Sequence, residues 1–199
     1  MMKYKLESLK VIKEFMNQVN TQYGKQVRIV RIDNALELIY GPSQVYFREK
    51  GIIHQTSYVD RPHQNARVGR RHRNLLEMGR ALRLQSGVPL MYCSECVMTA
   101  TYITNRIPTL VLKGKSPYEA LYGKKSMYDS MRNFGCLTFS YNPDRRRDKF
   151  QARGVPGIFL GYPANQKGYN ILNLFTNQIF ATRDVKFYEG IFPYKMSEE

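Results

Sequence analysis

The chain has 199 residues, 43% of them hydrophobic, an ordinary value for a protein with a packed core and one that excludes disorder by composition. Lysine and arginine number 31 against 16 aspartates and glutamates, and the resulting formal charge of +15 favours a polyanionic partner, DNA or RNA. No run approaches the ~18 consecutive apolar residues of a membrane span and the first eight residues lack the apolar centre of a secretory signal, so we expect no membrane partner and an intracellular location, the nucleus included.

In chain order, Val11, Ile12, Phe15, Met16 and Val19 recur at helical spacing behind Ser8, which is placed to cap, and predict an amphipathic helix over 8–20. The β-branched run Val27–Ile32 predicts a strand that ends at Asp33-Asn34. Residues 35–49 read as a helix interrupted by Gly41-Pro42, and Gly51–His54 as a short strand. Tyr58–Ala66, with Pro62 and Asn65, reads as a loop leading into a long helix over Arg67–Gln85. Advancing about 100° per residue puts Val68, Leu75, Gly79 and Leu82 on one face, flanked by Leu76 and Met78, and Arg67, Arg70, Arg73 and Arg80 on the other.

A second helix is predicted from Pro89 to Asn105, apolar on most sides and therefore buried, stopping before Pro108. Residues 109–132 read as a basic connector. From Phe134 the texture changes to short apolar stretches, Phe134–Tyr141, Ile158–Tyr162, Tyr169–Phe175 and Ile179–Phe187, separated by turn signals such as Asn142-Pro143-Asp144 and 163–168. That pattern predicts a small antiparallel β-barrel.

The three cysteines read as reduced thiols, because the sequence shows no secretory features. Cys93 and Cys96 form a C-x-x-C within an apolar helical run, with Cys136 the only other cysteine, so packing explains them better than zinc. His54, His63 and His72 have no metal-ligand spacing with a cysteine pair and read as core or surface residues.

Several short motifs stand in order along the chain: Arg31-Ile-Asp-Asn-Ala-Leu-Glu-Leu38, Gly51-Ile-Ile-His-Gln-Thr-Ser57 and the long run from Val59 to Leu82. Ala100-Thr-Tyr-Ile-Thr-Asn-Arg-Ile-Pro108, Ser116-Pro-Tyr-Glu-Ala-Leu121, Phe134-Gly-Cys136, Phe159-Leu-Gly-Tyr-Pro163 and Thr182-Arg-Asp-Val185 follow. Taken together they resemble the integrase of copia-type LTR retrotransposons; each alone is weak evidence, but their order is not. The resemblance implies an α/β fold, a truncated RNase H-like core followed by a small all-β SH3-like barrel. It divides the chain into a core over 1–108 that lacks its first three strands, a connector over 109–132 and a barrel over 133–195.

Integrases of this family join a DNA 3′ end to a target strand using two Mg²⁺ or Mn²⁺ ions held by an Asp, Asp, Glu triad, because hard dications brought close together need several carboxylates. Asp33 corresponds to the second aspartate and is the sole remaining member; Gly69 stands where the family carries the glutamate. Glu37 and Asp60 do not look like replacements, and Arg67, Arg70 and Arg71 surround the vacant position with positive charge. We therefore expect no strand transfer, no stably bound metal and no cofactor. Asp33 is either a vestigial ligand or a cap for a helix starting near Asn34.

What remains is binding. Arg67, Arg70, Arg71, Arg73, Asn74 and Arg80 are the expected contacts to DNA or RNA, extended by Lys3, Lys5, Lys113, Lys115, Lys124, Lys125 and Arg145–Arg147, with nonspecific and salt-sensitive affinity. Two other readings stay open: an active integrase subunit completed by another chain, and a recruited interaction module acting through the barrel over 134–187. Missing neighbour strands would leave Val27–Ile32 with an unpaired edge, through which self-association is expected.

Overall fold

The computed structural model describes residues 4–33, 35–57, 66–141 and 154–196. Most of the expected loop before the long helix, with Asp60 and His63, lies outside these residues, as do Lys3, Asn34, the turn at 142–144 and the basic run 145–147. The chain forms two compact units, 1–72 and 73–199, so the expected boundaries at 108 and 132 both fall inside the second.

In the first unit, helix α1 (Ser8–Tyr23) follows a short 3₁₀ turn over Lys5–Glu7. Ser8 is itself the first helical residue and caps nothing, a correction to the expected N-terminus; the helix runs on to Gly24, whose left-handed φ of 57° closes it. Strand β1 (Ile29–Ile32) pairs in parallel with β2 (Ile53–Thr56), from Ile29 opposite Ile53 to Ile32 opposite Thr56. The second strand thus starts two residues later than expected. Between them the predicted break at Gly41-Pro42 separates α2 (Leu36–Ile39) from α3 (Pro42–Glu49), with proline in the first helical position, where its missing N–H costs nothing.

Phe47 of α3 is fully buried and its ring lies 5.3 Å from that of His54, so this histidine is a packing residue. Met16 and Leu38 are the other buried apolar side chains of this unit among the described residues. Val11, Phe15, Ile29 and Ile53 stay largely exposed, which narrows the expected apolar stripe of α1 to Ile12, Met16 and Val19. A two-strand parallel pair with crossover helices is common to many α/β folds and does not by itself identify an RNase H-like core.

Helix α4 (Ala66–Ser86) runs across the boundary between the units. In the second unit a 3₁₀ turn over Leu90–Tyr92 leads into α5 (Cys93–Thr104), which ends ahead of Pro108 as expected but is only half-buried: Cys96, Thr99 and Ala100 face inward and Met98 faces solvent. The region read as a connector contains α6 (Pro117–Tyr122), capped by the Ser116 hydroxyl accepting from the Glu119 N–H, and tied to α5 by the Tyr118 N–H on the Asn105 carbonyl.

Five antiparallel strands follow: β3 (Leu137–Tyr141), β4 (Gly154–Phe159), β5 (Tyr169–Asn173), β6 (Ile179–Thr182) and β7 (Val185–Tyr188), in the order β6-β5-β4-β3-β7. The stretch Ile179–Phe187, read as one strand, is two strands broken at Arg183-Asp184, and they lie at opposite edges of the sheet. β4 begins earlier than the expected Ile158 and includes Pro156. A short helix α7 (Pro193–Met196) closes the described chain.

Alternation along β4 and β5 sends side chains to both faces, and both faces are buried. Ile158, Leu160 and Leu172 join Phe134, Val88 of the segment after α4, Tyr92 of the 3₁₀ turn and Cys96 of α5 in one core. Phe159 and Ile171 point the other way, into a cluster with Cys136 that Tyr162, Tyr169, Phe180, Val185, Phe187 and Phe192 complete. The sheet therefore curls over one face and is covered by helices on the other. No ladder joins β6 to β7 among the described residues; side chains of both strands meet in the second cluster instead.

Two glycines set how closely the helices approach. Gly135 (φ 81°) and Gly161 (φ 111°) have backbone conformations that favour glycine, and a Cβ at either would overlap the Ser86 or the Thr99 side chain respectively. We predict that Gly161→Ala destabilises the protein by about 2–4 kcal/mol, from left-handed strain together with overpacking. Gly190→Ala, at an open position of ordinary φ, should stay within ~0.5 kcal/mol. Urea midpoints measured side by side check this, and equal midpoints for the two variants would refute it.

Candidate nucleic-acid interface

Helix α4 contains six arginines and one glutamate, and it forms because its interior has strong helix formers and no proline. At 100° per residue, Leu75, Gly79, Leu82 and Ser86 fall on one face and Arg70, Arg73 and Arg80 opposite them, with Arg67 and Asn74 toward one side. The structure agrees: Gly79 and Ser86 are buried, Leu75 and Leu82 half-buried, and Arg67, Arg70, Arg71, Arg73, Asn74 and Arg80 all exposed. Val68 departs from the expected face, being 59% exposed, so the packed side of the helix begins only at Leu75. Sequence reasoning passed over Glu77, which sits within the arginine face, four residues after Arg73 and three before Arg80, and partly offsets its field.

Asp33 follows the C-terminal end of β1 and is exposed. It does not cap α2: the residue before that helix is Ala35, which has no side-chain oxygen to offer, so the capping alternative is withdrawn. Beside Asp33 in the chain, at the ends of the parallel strands where open α/β sheets hold ligands, a cleft is lined among the described residues by Arg31, Gln55, Thr56 and Ser57, none of them a carboxylate. Arg31 is engaged there by a neutral partner, donating from Nε and Nη2 to Gln55 Oε1 at 3.1 and 2.8 Å.

A two-cation centre needs three or more carboxylates converging on one point. Among the described residues no three His, Cys, Asp or Glu side chains gather in that way, and Gly69 is an exposed helical residue with nothing within 4 Å of where a Cβ would stand. The residues present do not fit the metal pair that the resemblance implies. Space for a glutamate exists at Gly69; the acid itself is absent.

The C-x-x-C pair is split by burial, with Cys93 exposed and Cys96 buried. Burial, then the neighbouring Cys93, pushes the Cys96 thiol up to about 11, and burial, then Glu189, pushes Cys136 up to about 12, so both stay protonated and act as packing residues.

The auxiliary lysines disperse. Lys113 and Lys115 are exposed around the turn before α6, whereas Lys124 and Lys125 line a cleft with Arg106, Lys167 and Arg183 that sequence reasoning did not assemble. Tyr102 and Arg106 at helical spacing of four gave a local signal for it; Tyr162 and Arg183, distant in sequence, gave none.

Comparison with known proteins bears on both units. The family described as "Retroviral polymerase SH3-like domain" matches residues 136–199. The chain is 30% identical over 195 residues, 96% of its length, to the "Retrovirus-related Pol polyprotein from transposon RE1" of Arabidopsis thaliana. It is 29% identical over 90% of its length to the corresponding RE2 polyprotein of the same plant, and 28% identical over 95% to that of transposon TNT 1-94 of Nicotiana tabacum. The chain spans only 13%, 12% and 14% of these three relatives. A simian T-cell lymphotropic virus intasome structure, in complex with a PP2A regulatory subunit, superposes on 94% of this chain and 66% of its own with a TM-score of 0.49 and 14% identity, too loose a match to establish a common fold.

Glycine inside an exposed helix costs about 0.5–1 kcal/mol relative to alanine. Gly69→Ala is therefore expected to raise the unfolding free energy by about that amount, and Gly69→Glu, early in the helix where an acid suits the dipole, by a similar amount. Calorimetric melting of the three proteins checks the point; destabilisation by either substitution would show that Gly69 serves a packing or backbone role that the open surroundings deny.

Proposed function

We propose, from the premise that this chain is a homologue of Ty1/copia-type retrotransposon Pol polyproteins over most of its length, that it is an integrase-derived nucleic-acid-binding segment that does not itself catalyse strand transfer. The observation that supports it is the arginine face of α4: Arg70, Arg73 and Arg80 aligned and exposed on one helix. Arginine offers a planar fork of donors that matches phosphate oxygens and keeps its charge at any physiological pH. A row of such groups tracks a phosphate backbone without reading bases, so the affinity is nonspecific and salt-dependent.

The case against catalysis is chemical. Asp33 alone cannot neutralise two dications, and the nearest described cleft offers arginine, amide and hydroxyl groups. Integration as a whole is a property to be sought in the longer polyproteins, of which this chain covers about one eighth.

Binding of the purified chain to a labelled duplex across a salt series tests the proposal. The logarithm of the affinity is expected to fall linearly with the logarithm of salt, and replacing Arg70, Arg73 and Arg80 by alanine should flatten the slope by about 0.9 for each phosphate that an arginine no longer neutralises. Glu77→Gln should strengthen binding several-fold at low salt, by removing the one acid on that face. Affinity indifferent to salt, or an unchanged slope in the triple variant, would refute the binding reading. Oligonucleotide ends joined to a plasmid in Mg²⁺ or Mn²⁺, and no longer joined by Asp33→Ala, would refute the absence of catalysis.

A further inference from the structure

Within the second unit, a cleft of about 910 Å³ opens between the helices α5 and α6 and the curled sheet. Its walls present Arg106, Lys124, Lys125, Lys167 and Arg183, and no acidic residue lines it among the described residues. None of these five cations has a carboxylate partner among the described residues, where the ion pair of this unit joins Arg132 to Glu189. Five uncompensated positive charges around a low-dielectric concavity focus a positive potential into it.

The same cleft is aromatic. Tyr102 stacks on Tyr162 with ring centroids 3.7 Å apart and planes 13° from parallel. The Arg106 guanidinium lies over the Tyr102 ring at 3.4 Å and over Tyr118 at 4.9 Å, and its Nη1 donates to the Tyr102 carbonyl at 3.1 Å. Tyr162 is pinned in turn by accepting from the Arg132 N–H at 3.0 Å. A fixed column of planar groups therefore borders the cleft, and half-buried Tyr169 stands among the other lining residues. Asn165 and Gln166, on the loop before β5, add side-chain amides that donate and accept.

We propose that this cleft holds a short single-stranded stretch of nucleic acid, its phosphates on Lys124, Lys125, Lys167 and Arg183 and its bases along the tyrosine-lined wall that the column holds in place. The inference rests on the nucleic-acid reading above and assigns it a second site, distinct from α4. A single strand is flexible enough to enter a concavity and has unstacked bases to offer, and stacking on aromatic rings together with a basic groove is how single strands are held without sequence preference. A duplex keeps its bases stacked internally and its phosphates on a convex surface, which suits the exposed arginine row of α4. An acidic peptide would satisfy the charges of the cleft but make no use of its tyrosine-lined wall.

Fluorescence polarisation on the full chain separates these cases, using labelled oligo(dT) and a labelled hairpin duplex as probes. The variant Lys124→Glu/Lys167→Glu/Arg183→Glu changes exposed side chains only, and is expected to weaken oligo(dT) binding by about tenfold or more while leaving duplex binding within about twofold. Replacement of Arg70, Arg73 and Arg80 by alanine should do the reverse. Because the chain has 15 tyrosines and no tryptophan, its intrinsic emission is tyrosine's; oligo(dT) should quench it in the parent and not in the cleft variant. Unchanged oligo(dT) affinity in the cleft variant, or displacement of oligo(dT) by poly-glutamate at a lower concentration than by unlabelled oligo(dT), would overturn the inference while duplex binding stands. Failure of the parent to bind either probe would sink the broader reading together with it.

Discussion

The second unit depends on a sheet whose two faces both need a cover. Ile158, Leu160 and Leu172 are 0–1% exposed, yet they point away from the curled side of the sheet and toward Val88, Tyr92 and Cys96. Fully burying one such side chain stabilises by about 1.5–3 kcal/mol, so three of them contribute about 5–9 kcal/mol. That is comparable with the whole net stability of a typical domain, about 5–15 kcal/mol. The SH3-like sheet and the helices ahead of it are therefore one cooperative structure. Gly135 and Gly161, within the motifs Phe134-Gly-Cys136 and Phe159-Leu-Gly-Tyr-Pro163, are the points where helix and sheet touch most closely.

The same packing positions the chemistry. With Cys96, Thr99 and Ala100 facing the interior, α5 is fixed in rotation, and Tyr102 in its last turn and Arg106 just beyond its end line the basic cleft. The cleft is rigid on that side because Tyr162 belongs both to the aromatic column and to the second core cluster. Burial pushes the Tyr162 phenol up to about 12, so it stays neutral and keeps accepting from the Arg132 backbone. The first unit contrasts with this. Its parallel pair leaves Ile29 and Ile53 more than half exposed, and Asp33 stands at its end with no converging acids among the described residues. Carboxylates that hold metal ions must be preorganised by the structure around them, and the described residues around Asp33 supply neither partner acids nor burial.

Much of this was legible in local pattern. The 3.6-residue period found α1, α4 and α5, the Gly41-Pro42 pair located the break between α2 and α3, and the ordered motifs identified the family. Errors came where long-range packing decides. Ile179–Phe187 reads as one apolar run, but Arg183-Asp184 turns the chain so that β6 and β7 reach opposite edges of the sheet, and no local rule specifies that. Val68 has the right period for the packed face of α4 and is nevertheless exposed. Glu77 carries the period of the arginine face and is legible in the sequence as its acidic member. Beyond the Tyr102–Arg106 pair the cleft was not legible, since Arg106, Lys124, Lys167 and Arg183 meet only after the sheet has folded against α5 and α6.

Native-state amide exchange, resolved by residue, tests most directly whether helix and sheet share one core. The account predicts that the amides of 96–100 in α5 and of 158–160 and 171–172 in the sheet open with the same free energy, and that Val88→Ala lowers all of them together. Protection of the sheet that persists unchanged while α5 opens at a lower free energy would contradict it.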